Sequence, residues 1–122
     1  MKLRIKGNSI RMRLMQSEVQ TFKHERLLKD EVSFPGGSTM TYSIKMSGSY
    51  GAEFGNSELI LVVPTSDALE WINSEELSLR SSLQIEGGSS LSLLIEKDLE
   101  CLMPREGEDE SDAYPNPKKE NK

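Results

Sequence analysis

The amino-acid sequence predicts an α+β fold, in which an antiparallel sheet of about eight strands, strongly curved or barrel-like, carries two short helices on one side. Three observations lead to this prediction. Apolar and polar residues alternate in most segments, which is the period of a strand with one buried face. Runs rich in glycine, serine and asparagine separate these segments, as they do in hairpins. Signals for a helix start occur at two places, and no internal repeat is evident.

The first two strands are predicted within residues 2–14, joined by a two-residue turn. A glycine at the first central position suits a type II′ turn, whose twist matches that of the strands. This turn pairs Ile5 with Ile10 and Arg4 with Arg11, so one face of the hairpin is apolar and the other is basic. Like charges that face each other across strands cost about 0.2–1 kcal/mol per pair. The basic side therefore requires either open water or an anion.

Five cations alternate along this hairpin, and the first thirteen residues contain no acid. They are the candidate residues for binding an anion or a partner: Lys2, Arg4, Lys6, Arg11 and Arg13. Three occupants remain open from the sequence. Water can solvate the charges while the long side chains cover apolar surface. The protein's own carboxylates can pair with them, or a phosphate, a nucleotide or an acidic partner can bind there.

The middle of the chain continues the strand pattern and adds both helices. A capping box predicts that the first helix begins at Ser17. A hairpin with a break at residues 35–38 follows. The run 59–63 is apolar throughout, which predicts a central strand covered on both faces. A second short helix is predicted next, capped by Ser66 or Asp67.

The last two strands are predicted to form a long hairpin around the three-residue loop 87–89. This loop pairs Leu83 with Leu93 on the apolar face. On the other face it places Arg80 directly opposite Glu96, as an ion pair across the strands.

A change of composition predicts a single α+β domain at residues 1–103 and a tail at residues 104–122. The tail is rich in acids between residues 106 and 112 and contains prolines, so it cannot form a core of its own. It is either free or docked on the domain. Its negative charge, set against the positive hairpin, makes the acidic segment a candidate partner of the five cations, as an alternative to a separate anionic ligand or protein.

Composition excludes several classes of protein. The net charge of −5 and the pI near 5.0 argue against general nucleic-acid binding, because that function needs a basic domain. No apolar run approaches the length of about 20 residues that a membrane span needs, and no signal peptide is expected. The single cysteine allows no disulfide within the chain and favours a reducing, cytoplasmic location.

No motif predicts a cofactor or an enzyme. The chain has no phosphate-binding Walker loop, no Gly-x-Gly-x-x-Gly fingerprint and no Gly-x-Ser-x-Gly nucleophile elbow. The acidic run also departs from a calcium-binding EF-hand loop. If a metal ion binds, the candidate ligands are carboxylates near the end of the last strand and in the tail: Glu96, Asp98, Asp109 and Asp112.

Three segments near the ends of the chain have a distinctive sequence: the N-terminal Lys-Leu-Arg-Ile-Lys-Gly-Asn-Ser-Ile-Arg, the run from Glu96 to Leu102, and Glu-Asp-Glu-Ser-Asp-Ala-Tyr-Pro-Asn-Pro in the tail. In these segments the chain resembles a small family of bacterial proteins of unknown function. The resemblance covers essentially the whole chain and implies no activity, ligand or catalytic residue. It implies that the acidic tail belongs to the pattern of the family.

Two functional hypotheses follow. The first is a small non-catalytic binding or accessory module, whose basic hairpin engages an anion or an acidic partner. The alternative is a metal-assisted phosphoryl or ester hydrolase, in which Glu96, Asp98 and tail carboxylates hold the metal while the arginines clamp the anion. Cations on barrel strands are similar to those of the triphosphate tunnel enzymes, but the Glu-x-Glu-x-Lys motif of those enzymes is absent here.

Overall fold

The structure is a computed structural model and describes residues 1–99 and 112–115. The described residues form eight strands and two helices. In chain order these elements are β1 (Lys2–Ile5), β2 (Ser9–Leu14), α1 (Gln16–Glu25), β3 (Leu27–Ser33), β4 (Thr39–Ser47), β5 (Gly51–Gly55), β6 (Glu58–Pro64), α2 (Thr65–Ile72), β7 (Ser78–Gln84) and β8 (Ser90–Lys97).

The strands form two four-stranded sheets. Sheet 1 has the order β1-β2-β8-β7, and sheet 2 has the order β3-β4-β6-β5. In each sheet two antiparallel hairpins meet through a parallel pair of central strands. The α+β class is therefore confirmed, but the prediction of an antiparallel, strongly curved or barrel-like sheet was wrong, since both sheets are mixed and neither closes. Alternation in a sequence shows which face of a hairpin is buried, but not which edge pairs with a distant hairpin.

The first hairpin has the predicted register. Arg4 lies opposite Arg11 and Ile5 lies opposite Ile10. Gly7 has a φ of 55°, whereas the next residue is not in the left-handed region, which agrees with the predicted type II′ turn. The central position predicted for the run 59–63 is also confirmed, because β6 lies between β4 and β5.

The last hairpin has a different register from the predicted one. Its loop contains five residues, 85–89, and is closed by the N–H of Ile85, which donates to the Ser89 carbonyl at 2.9 Å. Leu83 therefore pairs with Leu91, and Arg80 lies opposite Leu94 instead of Glu96. Alternation left both registers possible, because a shift of two residues keeps every side chain on its face.

The helices begin earlier than the capping signals predicted. The N-cap of α1 is Met15, whose backbone N–H donates to the Glu18 carboxylate at 2.9 Å, so Ser17 is not the cap. The N-cap of α2 is Pro64, and neither Ser66 nor Asp67 takes that position.

The two halves of the chain repeat one another, although the sequence alone showed no repeat. Every pair of β1–β2 recurs in β5–β6 at a shift of 49 residues, so Arg4–Arg11 corresponds to Glu53–Ile60. The pairs of β3–β4 recur in β7–β8 at a shift of 51 residues. Each half thus has the order hairpin, helix, hairpin. Each sheet combines one hairpin from each half, which relates the halves by an approximate two-fold axis.

The loops preserve this repeat in detail. Loop 34–38 is closed by the N–H of Phe34, which donates to the Ser38 carbonyl at 2.8 Å, as in loop 85–89. Each loop contains Gly-Gly-Ser. The glycine φ values are 92° and 91° in the first loop and 94° and 91° in the second. Only glycine adopts such values without strain, so the paired glycines mark the repeat in the sequence.

A single core joins the inner faces of both sheets to the two helices. Each helix contributes one fully buried aromatic residue at an equivalent position, Phe22 in α1 and Trp71 in α2. Strand residues such as Met12, Ile44 and Leu61 have no exposed surface. Most large apolar side chains pack into this core, and the charged residues of the strands lie mainly on the outer faces of the sheets.

Candidate anion-binding site

The outer surface of the β1–β2 hairpin carries the five cations identified in the sequence. We call Lys2, Arg4, Lys6, Arg11 and Arg13 the basic face. Inward-pointing residues of the same strands, among them Leu3 and Met12, pack into the core and so hold the cations outward. The like-charge pairs predicted from the turn are present, because Lys2 lies opposite Arg13 and Arg4 opposite Arg11.

Carboxylates of the same chain neutralise one end of the basic face. Since β8 runs parallel to β2, the register places Glu96 beside Arg13. The Arg13 Nε donates to Glu96 Oε1 at 2.6 Å, and Arg11 Nε lies 3.5 Å from the same oxygen. The Lys2 Nζ lies 3.1 Å from Asp98 Oδ2, and the Asp98 side chain is buried. Part of the charge therefore finds its anion within the protein.

The other end of the basic face keeps its charge. Arg4 and Lys6 are exposed, and neither forms an ion pair with any residue in the described ranges 1–99 and 112–115. A cleft of about 200 Å³ opens here, lined by Arg4, Lys6, Ser9 and Arg11. A second cleft of about 370 Å³ is lined by Lys2, Leu3, Arg4, Arg11 and Arg13. Guanidinium groups donate in a planar fork that matches carboxylate and phosphate oxygens, so these clefts suit an anion.

Arg80 extends the positive surface beyond the first hairpin. On the outer face of sheet 1, the register aligns Arg4, Arg11, Leu94 and Arg80 in one row across all four strands. The register predicted from the sequence pairs Arg80 with Glu96. In the structure Glu96 lies two residues further along β8 than the partner of Arg80, so Arg80 adds a third arginine to the row.

The candidate metal ligands do not gather into a site. Glu96 and Asp98 lie beside the basic face but pair with its cations. Asp112 lies at the beginning of α1, and Asp109 is outside the described residues. Among residues 1–99 and 112–115, no three histidine, cysteine or acidic side chains are grouped so that they could hold a metal ion.

The described part of the tail contacts α1 and the end of β8. The backbone N–H groups of Gln16 and Ser17 donate to Asp112, at 3.0 Å to its carbonyl and 3.1 Å to its carboxylate. The Ser17 hydroxyl also donates to that carboxylate. The Met15 side chain has no oxygen that could accept from the first N–H groups of α1. Asp112 provides these acceptors instead. None of these contacts involves a cation of the basic face.

Lys97 forms the second contact point of the tail. It is only 6% exposed, and its Nζ donates to the Ser74 carbonyl at 2.8 Å. The same nitrogen lies 5.5 Å from the centre of the Trp71 ring and 5.6 Å from that of Tyr114, close enough for cation–π attraction. Burial lowers the pKa of Lys97, and the negative charges of nearby Glu76 and Glu75 partly offset this decrease. The Tyr114 N–H continues the docking by donating to the Asp98 carbonyl at 2.7 Å.

The sequence indicated the five cations but not the roles of Arg80 and Lys97. Both lie on strands whose partners are distant in the chain, so their neighbours follow from the pairing of β8 with β2 and from the tail. One signal was present for Lys97. It is the last residue of β8, in line with the inward-facing Leu93 and Ile95, and it has the position that the apolar, partly buried Met46 has in the other half.

Comparisons with known proteins identify the family of the chain but no activity. A family model described as a family of unknown function, DUF7009, matches residues 1–118. The chain belongs to this family. No curated protein and no solved structure matches it. Within the described part of the chain, neither helix has the length and apolar character needed to cross a lipid bilayer.

Proposed function

We propose that this DUF7009 protein is a small non-catalytic binding or accessory module, and that its basic face engages an anionic group. The observation that carries the proposal is the Arg4–Arg11 pair, which lines both clefts. Two like charges directly opposite each other cost stability, and a bound anion would offset that cost. The in-chain acceptor Asp98 contacts Lys2, and Glu96 contacts Arg13 and, at 3.5 Å, Arg11. Neither contacts Arg4, so a bound anion would have to neutralise that side of the pair.

The anion has two possible sources, the acidic segment 106–112 of the same chain or a separate ligand or protein. Both would present carboxylate or phosphate oxygens to the same guanidinium groups. In a cytoplasmic location, separate anionic ligands and acidic proteins would both be available. The net charge of −5 disfavours a general nucleic-acid partner.

Binding of an acidic probe tests the proposal directly. A fluorescent oligoglutamate peptide is titrated into the full chain at low ionic strength, and binding is followed by anisotropy. The double variant Arg4→Ala, Arg11→Ala is expected to bind about tenfold more weakly, because it loses two charge-assisted donors. The matched control is Lys29→Ala, Lys45→Ala, which removes the same charge from the outer side of sheet 2. Equal losses in both variants would contradict a site on the basic face.

The two sources of the anion are separated by neutralising the tail. In Glu106→Gln, Glu108→Gln, Glu110→Gln, an affinity increase of about tenfold for the peptide would show that the segment competes for the basic face. An unchanged affinity would assign the site to a separate partner.

The alternative is a metal-assisted hydrolase, which is favoured only by the presence of Glu96 and Asp98 beside the cations. Their ion pairs count against it, because a carboxylate held by arginine or lysine is not a free metal ligand. Release of phosphate from tripolyphosphate with Mg²⁺ present measures this activity. We expect none, and release that disappears in Glu96→Gln would replace the binding proposal with the hydrolase.

A further inference from the structure

The outer edge of β1 is an open strand edge beside the basic face. β1 is the terminal strand of sheet 1, and within residues 1–99 and 112–115 it pairs only with β2. The Lys6 N–H donates to the Ser9 carbonyl. Since ladder bonds of an antiparallel pair alternate, the backbone N–H and C=O groups of Leu3 and Ile5 point away from β2. No other strand of the described residues pairs with this edge, so these groups can bond to an added strand.

The side chains of β1 determine which strand would fit this edge. Arg4 and Lys6 project on the outer side, about 7 Å apart along the strand. Ile5 projects between them on the opposite side and is 58% exposed, so it offers apolar surface at this edge. A partner strand with acid, apolar and acid at three successive positions would place a carboxylate beside each cation and an apolar side chain beside Ile5.

The other three edges of the two sheets lack this combination. The outer strand β3 mixes Lys29, Asp30 and Glu31, and β5 carries Glu53. β7 has a single cation, Arg80, among serines. Charge complementarity to an acidic strand is therefore specific to β1.

We infer that β1 binds an extended acidic peptide of a partner protein by strand addition, with acidic and apolar residues alternating in the peptide. This inference rests on the proposed function and defines its ligand: a segment of polypeptide instead of a free phosphate. Backbone hydrogen bonds to Leu3 and Ile5 provide part of the affinity, and Arg4 and Lys6 select for acids. A free anion would use the cations alone and would not involve the strand edge.

Two peptides of identical composition test the inference with the full chain. One alternates glutamate with valine, and its isomer has the glutamates in one block and the valines in another. The alternating peptide is expected to bind about tenfold more tightly, since only it presents acids on one side of an extended strand. Binding of that peptide is also expected to slow hydrogen exchange at the amides of Leu3 and Ile5.

A proline substitution separates strand addition from charge attraction. Ile5→Pro removes an outward N–H but no hydrogen bond to β2, and proline is tolerated in edge strands. The substitution is expected to lower the affinity for the alternating peptide about fivefold, because one hydrogen bond is lost. The affinity for tripolyphosphate is expected to stay unchanged. The matched control Ile5→Ala keeps the N–H and loses only apolar contact.

The outcomes distinguish this inference from the proposed function. If both peptides bind equally and the Leu3 and Ile5 amides stay unprotected, the strand-addition inference is overturned, and the cations serve to keep the edge from pairing. The proposed function then still stands if Arg4→Ala, Arg11→Ala weakens both peptides. If neither peptide binds, both proposals fail. The exchange measurement on the unmodified chain decides the matter even if Ile5→Pro does not fold.

Discussion

The hairpins β1–β2 and β5–β6 occupy equivalent places in the two sheets, yet their outer faces differ completely. On the inner side the equivalent residues are alike: Met12 corresponds to Leu61, and both are fully buried. On the outer side Arg4 corresponds to Glu53 and Arg11 to Ile60. The core imposes the same requirement on both hairpins. The basic face is not required by the fold, which is why we associate it with function.

The largest effect is expected where the hairpins agree. Met12→Ala and Leu61→Ala should each lower the free energy of unfolding by about 2–5 kcal/mol, because each leaves a cavity in the shared core. Urea unfolding followed by the fluorescence of the buried Trp71 measures this. The control Glu53→Ala, on the outer side, should stay within about 0.5 kcal/mol of the parent. A small effect at one core position only would break the equivalence of the halves.

A smaller effect is expected where the tail distinguishes α1 from α2. Asp112→Ala should lower the free energy of unfolding by about 1 kcal/mol, because the first N–H groups of α1 lose their acceptor. Asp112→Asn should cost less, since an amide oxygen still accepts. Ser66→Ala, at the place in α2 equivalent to Ser17, has no contact with the tail in the described residues and is the control. If Asp112→Ala has no effect in urea unfolding, the tail does not contribute to helix stability.

The like charges of the basic face should lower the stability of the first hairpin relative to the equivalent hairpin β5–β6. Arg4→Thr should raise the free energy of unfolding by about 0.2–1 kcal/mol at low salt, because it removes a like-charge pair with Arg11. The gain should shrink at high salt, where the repulsion is screened. Glu53→Thr, at the equivalent position, faces Ile60 and should show no such salt-dependent gain. Unfolding at two salt concentrations checks this, and a stabilisation that is independent of salt would exclude repulsion as its cause.

The last effect appears only at alkaline pH and concerns the second half of the chain. Burial, and then the hydrogen bond from the Tyr50 hydroxyl to Asp67, raise the pKa of Tyr50 to about 12. Its ordinary pKa is near 10. The unfolded chain therefore loses this proton first, so the contribution of Tyr50 is complete below pH 10 and is lost as the pH rises towards about 12. The decline in urea midpoint above pH 10 should be shallower in Tyr50→Phe. Parallel declines in both proteins would contradict the assignment.

Prediction from the sequence worked where local rules were sufficient. The turn at Gly7 determined the register of the first hairpin and with it the pairing of Arg4 with Arg11. It failed for the last hairpin, because two loop lengths satisfied the same alternation of apolar residues. It also did not identify Arg80 as part of the positive surface, because its row with Arg4 and Arg11 depends on the pairing of β8 with β2 and on the register of β7 with β8.

The sequence by itself therefore determined the α+β class, the inward and outward faces of each strand and the identity of the five cations. These follow from the period of two and from turn chemistry, which act between near neighbours. Only the tertiary structure decided that hairpins from opposite halves share a sheet, that Glu96 neutralises one end of the basic face, and that Asp112 caps α1. Those contacts join residues far apart in the chain. No local pattern specifies which distant residues pair with a strand edge, form an ion pair with a charged side chain or cap a helix.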